Sequence, residues 1–304
     1  MTDWTRNFRV HADEIERSFS PAVVRSVDGE DAEWSTVVQR QSAKLRKAAK
    51  PSLLKRMFGR QRSEQAVKQI YNRQWTPEAA LARLDLAAGT ADPIVWRDRR
   101  YFANSLGTKR VHLLYLMRLI EMLRPSRVLE VGSGTGQNLF ILAAQFPDIA
   151  FTGIELTEAG YRTAEAIREA ETLPEALRNF SPLPINDAAA HRGVQLNQGS
   201  AAALPFPDRS FDLVYSVQAL EQMESIRHQA LSEIARVCTG HVAMFEPFAE
   251  WNQTPIRKDR IAARQFFSGS TEDLAKYGLR CVLTTDDMPT KNNYGIGLVV
   301  AARI

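Results

Sequence analysis

The segment Leu129-Glu130-Val131-Gly132-Ser133-Gly134-Thr135-Gly136 constrains this chain more than any other stretch. An apolar, strand-like run delivers an acidic residue into a turn with three glycines, and a helical pattern begins at about Gln137. Glycine permits the tight turn and lets a ligand approach bare backbone, while the following helix start offers unpaired N–H groups to an anionic moiety. Dinucleotide-binding turns space their glycines as GxGxxG. Here the third glycine arrives one residue early and Gln137 takes the slot where that fingerprint wants glycine, so a nicotinamide-binding turn is disfavoured.

From Val128 onward the sequence alternates apolar runs with helical periodicity, the rhythm of a parallel α/β sheet. Strands are expected at 127–131, 150–154, 194–197, 211–217, 241–245, 279–283 and 297–302. Helices are expected at 137–145, after Thr157, at 225–237, and between the Ser270/Asp273 capping pair and Gly278. The expected fold is therefore α/β, a doubly wound, mostly parallel seven-stranded sheet with helices on both faces, occupying 108–304. Thr108 to Leu123 reads as an apolar helix lying against that sheet and stopping before Pro125. Residues 1–107 read as a basic, mainly helical extension, interrupted at Pro21, Pro51, Pro77 and Pro93. Residues 170–192, with Pro174, Pro182 and Pro184, form an irregular insertion longer than a helix-to-strand connection needs, either a lid on the substrate side or a solvated excursion.

Val128 to Gly136 resembles motif I of class I S-adenosylmethionine-dependent methyltransferases, and the similarity is greatest to the broad small-molecule branch called type 11. Two further segments carry the likeness. Phe151-Thr152-Gly153-Ile154-Glu155-Leu156 resembles the second strand, and Gly199-Ser200-Ala201-Ala202-Ala203-Leu204-Pro205-Phe206 leading into Phe211-Asp212-Leu213-Val214 resembles the Leu-Pro-Phe run before the fourth. The resemblance implies S-adenosylmethionine as cofactor, with Glu130, Gly132, Ser133, Gly134, Gly136 and Asn138 around its methionine part. It implies Glu155 and Leu156 at the ribose, where a carboxylate can accept hydrogen bonds from both hydroxyls. It also implies Ser200 and Ala201 at the adenine and Gln218 near the sulfonium. The family usually carries aspartate at the position of Ser200, where serine offers a hydrogen bond but no charge, and histidine at the position of Gln222.

Methyl transfer from a sulfonium is an in-line displacement in which orientation of the acceptor does most of the work; a general base helps only where the nucleophile bears a proton of high pKa. Glu221 and Glu246, at the ends of the fourth and fifth strands, are the candidate bases. His112 and His241 read as core histidines, and Tyr101, Phe102 and Tyr115 read as packing residues that could instead line an acceptor pocket. The loop from Asp286 to Tyr294 is expected to border the site. The five histidines show no metal-binding spacing, so no metal is expected. Cys238 and Cys281 belong to no CxxC pair and read as small buried hydrophobes, which suits a reducing, cytoplasmic compartment.

The formal charge is +4, and the excess is concentrated: Arg40 to Arg62 holds nine cations and no acid. Three readings of residues 44–60 stand side by side: a solvated arm, a helix on an anionic membrane surface that inserts Leu53, Leu54, Met57 and Phe58, or a polyanion contact. The first twenty residues lack an apolar signal core, and no run of eighteen apolar residues occurs. The leading expectation is methyl transfer, at oxygen, to a small-molecule or glycan- or lipid-linked acceptor, by a cytoplasmic enzyme either soluble or peripheral at the membrane. The alternatives are a nucleic-acid (RNA) methyltransferase guided by the basic stretch and a regulatory protein that binds the cofactor without turnover. Oligomeric state is not legible.

Overall fold

The computed structural model describes residues 4–50, 63–71 and 76–304. Residues 51–60 of the basic stretch lie outside the described residues; Lys44, Arg46, Lys47 and Lys50 stand exposed at the end of a helix.

The N-terminal region is helical in part and also carries three strands. Helix α1 (Ala12–Phe19) leads into strand β1 (Val23–Val27), followed by helices α2 (Ala32–Ala49), α3 (Glu64–Tyr71) and α4 (Pro77–Ala82) and the hairpin of β2 (Ala91–Trp96) and β3 (Arg99–Asn104). Asp31 caps α2 by accepting from the Trp34 amide, and Thr76 caps α4 with Pro77 at its first position, where a missing N–H costs nothing. Pro93 does not break the chain: it sits within β2, beyond the two residues that pair with a further short strand, so no partner there is left without a donor.

Helix α5 (Leu106–Leu123) buries eleven of its residues between this region and the main sheet, and it ends in a left-handed turn at Arg124. The main domain then runs through β4 (Arg127–Val131), α6 (Gln137–Gln145), β5 (Ala150–Glu155), α7 (Glu158–Arg168), α8 (Glu175–Phe180), β6 (Gln195–Gln198), β7 (Phe211–Val217), α9 (Arg227–Val237) and β8 (Cys238–Glu246). It finishes with α10 (Pro255–Arg264), β9 (Leu279–Thr285), β10 (Thr290–Lys291) and β11 (Gly297–Arg303). The seven-stranded sheet has the order β6-β5-β4-β7-β8-β11-β9, with β11 antiparallel between β8 and β9. Two apolar clusters cover its two faces, one built on α5 and α6 and the other on α9. The strand order reverses between β4 and β7, and in open α/β sheets the crevice beyond the carboxyl ends of the strands at such a point is where ligands bind.

Two further features position that crevice. The segment 170–192 is neither a lid nor a solvated excursion: α8 and its flanks bury Leu173, Leu177 and Phe180, and Arg110 donates to the carbonyls of Phe180 and Ser181. The segment after β9, in contrast, crosses to the N-terminal region. Its β10 completes a four-stranded sheet of order β1-β3-β2-β10, and Asp287 accepts from Trp96 and Arg97 while Lys291 pairs with Asp92 at 2.7 Å. The N-terminal region and the end of the chain are thus fastened together beside the crevice.

Candidate functional site

A cavity of about 530 Å³ opens at the carboxyl ends of β4, β5 and β7. Its floor is the glycine turn. Gly132 and Gly134 take φ of 77° and 56°, the left-handed region that glycine enters without strain. A methyl group on Gly132 would overlap the Ala219 side chain, so the turn and the loop after β7 meet at a point where only backbone fits. Gly132 and Ser133 donate to the Ile154 carbonyl at 2.9 and 3.0 Å, tying the turn to β5. Gly136, φ 79°, does not line the cavity; it closes the turn as the first residue before α6 and packs on Phe140.

Three carboxyl groups define the cofactor end. Glu130, buried at the end of β4, accepts from Asn138 Nδ2 at 2.9 Å and from the Tyr215 hydroxyl at 3.0 Å. Burial pushes its carboxyl up to about 8, against the pull of those two hydrogen bonds, so a cationic amino group beside it would return it to the ionised state. Glu155 accepts from the Gly134 amide at 2.9 Å through Oε2 and from the amide and hydroxyl of Thr157 at 2.8 and 2.6 Å through Oε1. Its acceptor capacity is about four bonds, which leaves room on Oε2, the oxygen nearer the turn. Glu64, on α3, is the third and was not anticipated. Ser200 itself does not line the cavity; its hydroxyl donates to Glu64 Oε1 at 2.5 Å, and Glu64, Gly199 and Ala201 form that part of the wall. A carboxylate therefore stands next to the position where the resemblance expects aspartate, delivered by the N-terminal region instead of by β6.

A nucleoside carrying an amino acid fits this end. It offers a bare-backbone turn, a buried carboxyl for the amino group and a second carboxylate one strand over, with Ile154, Leu156 and Ala201 as apolar walls. Gln218, φ 53°, also lines the cavity, held by its amide to the Phe245 carbonyl at 3.0 Å.

The two carboxylates considered as bases are placed differently. Glu246 is fully buried and is not part of the cavity wall. It accepts from the Ser216 hydroxyl and the amides of Ala219, Leu220 and Glu221, all at 2.9–3.0 Å, and so pins the loop after β7. Glu221 does line the cavity, with one oxygen bound by the Gln222 amide at 2.6 Å and the other by the Tyr294 hydroxyl. Burial pushes its carboxyl upward, opposed by those two bonds and by Lys109 and Arg260.

The far end of the cavity assembles residues from four separate elements: Arg83 after α4, Lys109 and His112 on α5, Arg260 on α10, and Thr290, Lys291 and Tyr294 in the segment expected to border the site; sequence reasoning missed Arg83, Lys109 and Arg260 and read His112 as a core residue. His112 is 2% exposed and neither ring nitrogen has a hydrogen-bond partner among the described residues. Its spacing of three from Lys109 on an otherwise apolar helix is the signal that could have found both. Tyr101, Phe102 and Tyr115 pack; they are buried off the cavity, with the Tyr115 hydroxyl donating to the Asp287 carbonyl at 2.7 Å. Among the described residues no cluster of His, Cys, Asp and Glu could hold a metal ion, and no helix is long and apolar enough to cross a membrane.

Comparison with known proteins identifies residues 129–242 with a family model described as a methyltransferase domain. The chain is 30% identical over 134 residues to the malonyl-[acyl-carrier protein] O-methyltransferase of Methylococcus capsulatus, covering 44% of this chain and 41% of the relative. It is 33% identical over 111 residues to the fatty-acid O-methyltransferase of Mycolicibacterium smegmatis, covering 36% and 32%. It thus spans less than half the length of these two relatives. Among solved structures, the magnesium protoporphyrin IX methyltransferase of Synechocystis PCC 6803 with bound SAH superposes with a TM-score of 0.53 at 14% identity, over 80% of this chain and all of that one. That likeness is one of fold.

Proposed function

The chain carries a class I S-adenosylmethionine-dependent methyltransferase domain, and from that premise we propose that it transfers the methyl group to an oxygen atom of a small-molecule acceptor seated between α5 and β10. One observation carries the reading: a single cavity joins the glycine turn and Glu155 to a polar far end where Lys109, His112, Glu221 and Tyr294 converge. When bound, S-adenosylmethionine supplies an electrophilic methyl group on a sulfonium.

The chain's residues bind and orient. Glu130 takes the amino group, the bare backbone of the turn lies against the methionine part, and Glu155 takes the ribose diol through the acceptor capacity left on Oε2. Glu64 provides the carboxylate at the adenine, with Ser200 fixing its position. Glu246 acts through the loop 218–221, holding Gln218 and Glu221 against the cavity from behind. It is a positioning residue. The reaction creates no leaving-group anion that needs an acid, so alignment of acceptor and methyl group is the main contribution required of the protein.

The names of the two curated relatives support oxygen as the acceptor atom. A direct test is incubation with methyl-tritiated S-adenosylmethionine and a fractionated small-metabolite extract. The reading expects label in an organic-extractable product at the expense of the cofactor, and label confined to the cofactor under every condition contradicts it.

A further inference from the structure

The far end of the cavity has a charge imbalance that the cofactor does not explain. Arg83, Lys109, Arg260 and Lys291 all line it. The acids facing them are Glu221, in the wall, and Asp92, which pairs with Lys291 at 2.7 Å. Lys109 and Arg83 are exposed cations of the cavity wall, with Glu221 as the acid that acts on Lys109. Arg260 lies over the Tyr294 ring at 4.7 Å and donates to Asn293, but its Nε is buried and unsatisfied. Beside Lys109, one helical turn along, His112 presents two more unpaired ring nitrogens, only one of which can be a donor in the neutral ring. Buried polar groups without partners are rare in folded proteins; the Arg260 Nε and the His112 ring are two such groups at one end of one cavity, with the exposed Lys109 and Arg83 cations beside them, and together they mark the seat of a group that accepts.

We propose, as a refinement that rests on the methyl-transfer reading, that the acceptor is a carboxylic acid with an apolar body, its carboxylate held by Lys109 and Arg260 with the His112 ring as a further hydrogen-bond partner. The apolar body has Leu84, Leu106, Phe266 and Ile296 to lie against. The chemistry of the site fits a carboxylate better than an alcohol. A hydroxyl would need a base, yet both oxygens of Glu221 are engaged, Glu246 lies behind the wall, and burial beside Lys109 holds the His112 ring at about 3, too weak a base to take a proton from an alcohol. A carboxylate arrives already ionised. One of its oxygens forms the new C–O bond as the C–S bond breaks, and the electron pair stays on sulfur. The carboxylate and sulfonium charges cancel into a neutral methyl ester and a thioether, and no proton has to move.

The test separates this proposal from the reading beneath it. The protein is first saturated with S-adenosylhomocysteine; failure at that step overturns the methyl-transfer reading itself. The loaded protein is then titrated with hexanoate and benzoate and with the matched amides, hexanamide and benzamide. The acids are expected to bind at least about tenfold more tightly than the amides, and the preference to shrink about tenfold in Lys109→Met and in Arg260→Gln. Circular dichroism verifies the folding of each variant, and two variants on different helices guard against one misfolding. With tritiated methyl donor, label transferred to either acid is expected to be released as volatile methanol by mild alkali, as an ester requires. Equal binding of acids and amides, binding of neither, a preference unchanged in both variants, or alkali-stable label overturns the proposal.

Discussion

Glu64 offers a charge-swap experiment whose outcome is dictated by one distance. Its Oε1 sits 2.5 Å from the Ser200 hydroxyl, the position at which related turns carry an acid. Ser200→Asp would set two carboxylates about 3 Å apart. Two like charges at that separation repel by about 5 kcal/mol at an effective dielectric near 20, more than the ~1.5–3 kcal/mol of a hydrogen bond to a charged group. The pair must therefore take up a proton or push α3 away, and either response weakens the adenine end. Glu64→Ala alone removes the carboxylate, with an expected loss of about tenfold in S-adenosylhomocysteine affinity for a ~1.4 kcal/mol contact. In the double variant, Glu64→Ala with Ser200→Asp, the acid returns on β6's side without a rival, and affinity is expected within about threefold of the parent. Isothermal titration calorimetry of all four proteins completes the cycle. Wild-type affinity in Glu64→Ala, or simple additivity of the two single losses, would refute the assignment.

Three other perturbations follow from the geometry. Gly132→Ala forces a side chain into a left-handed backbone and against Ala219, so denaturant unfolding should show a loss of about 2–5 kcal/mol, the sum of ~1–2 for the conformation and ~1–3 for overpacking; an unchanged midpoint contradicts the close approach. Glu246→Gln leaves buried amide donors of the 219–221 loop facing an NH₂ group, which should cost about 1–3 kcal/mol for each group unsatisfied and lower S-adenosylhomocysteine affinity through Gln218. Full stability with lost turnover would instead make Glu246 a catalytic residue. His112, held at about 3 when folded against about 6.5 when unfolded, takes up a proton on unfolding below pH 6.5; its contribution to stability is present above that pH and is lost as pH falls toward 3. Relative to His112→Phe, the parent should therefore lose about 2–3 kcal/mol between pH 7.5 and pH 4.5, and parallel pH profiles would remove the buried neutral ring from the account.

The sheet was legible because its central strands are buried on both faces and read as continuous apolar runs, such as Val242 to Phe245 and Leu298 to Ala301. The turn, Glu130 and Glu155 were legible for a related reason: they form a local device whose chemistry depends on neighbours in sequence. The N-terminal sheet was not, because β1 and β3 are short, carry Arg25, Arg99 and Arg100, and are completed by β10 from almost two hundred residues away. The far end of the cavity was hidden for the same reason. Arg83, Lys109, Arg260 and Lys291 come from four elements, and each alone looks like a solvated cation. Glu64 could not be inferred from Ser200, since the substitution reveals that a charge is missing but not where its replacement comes from.

The account depends on Glu155 and the bare backbone of the 132–136 turn forming a nucleoside-binding site. Calorimetric titration of the parent protein and of Glu155→Ala with S-adenosylhomocysteine tests it most directly. One molecule should bind per chain of the parent, and the variant should lose at least about tenfold in affinity. No heat of binding in a folded parent, or equal affinity in the variant, would contradict it.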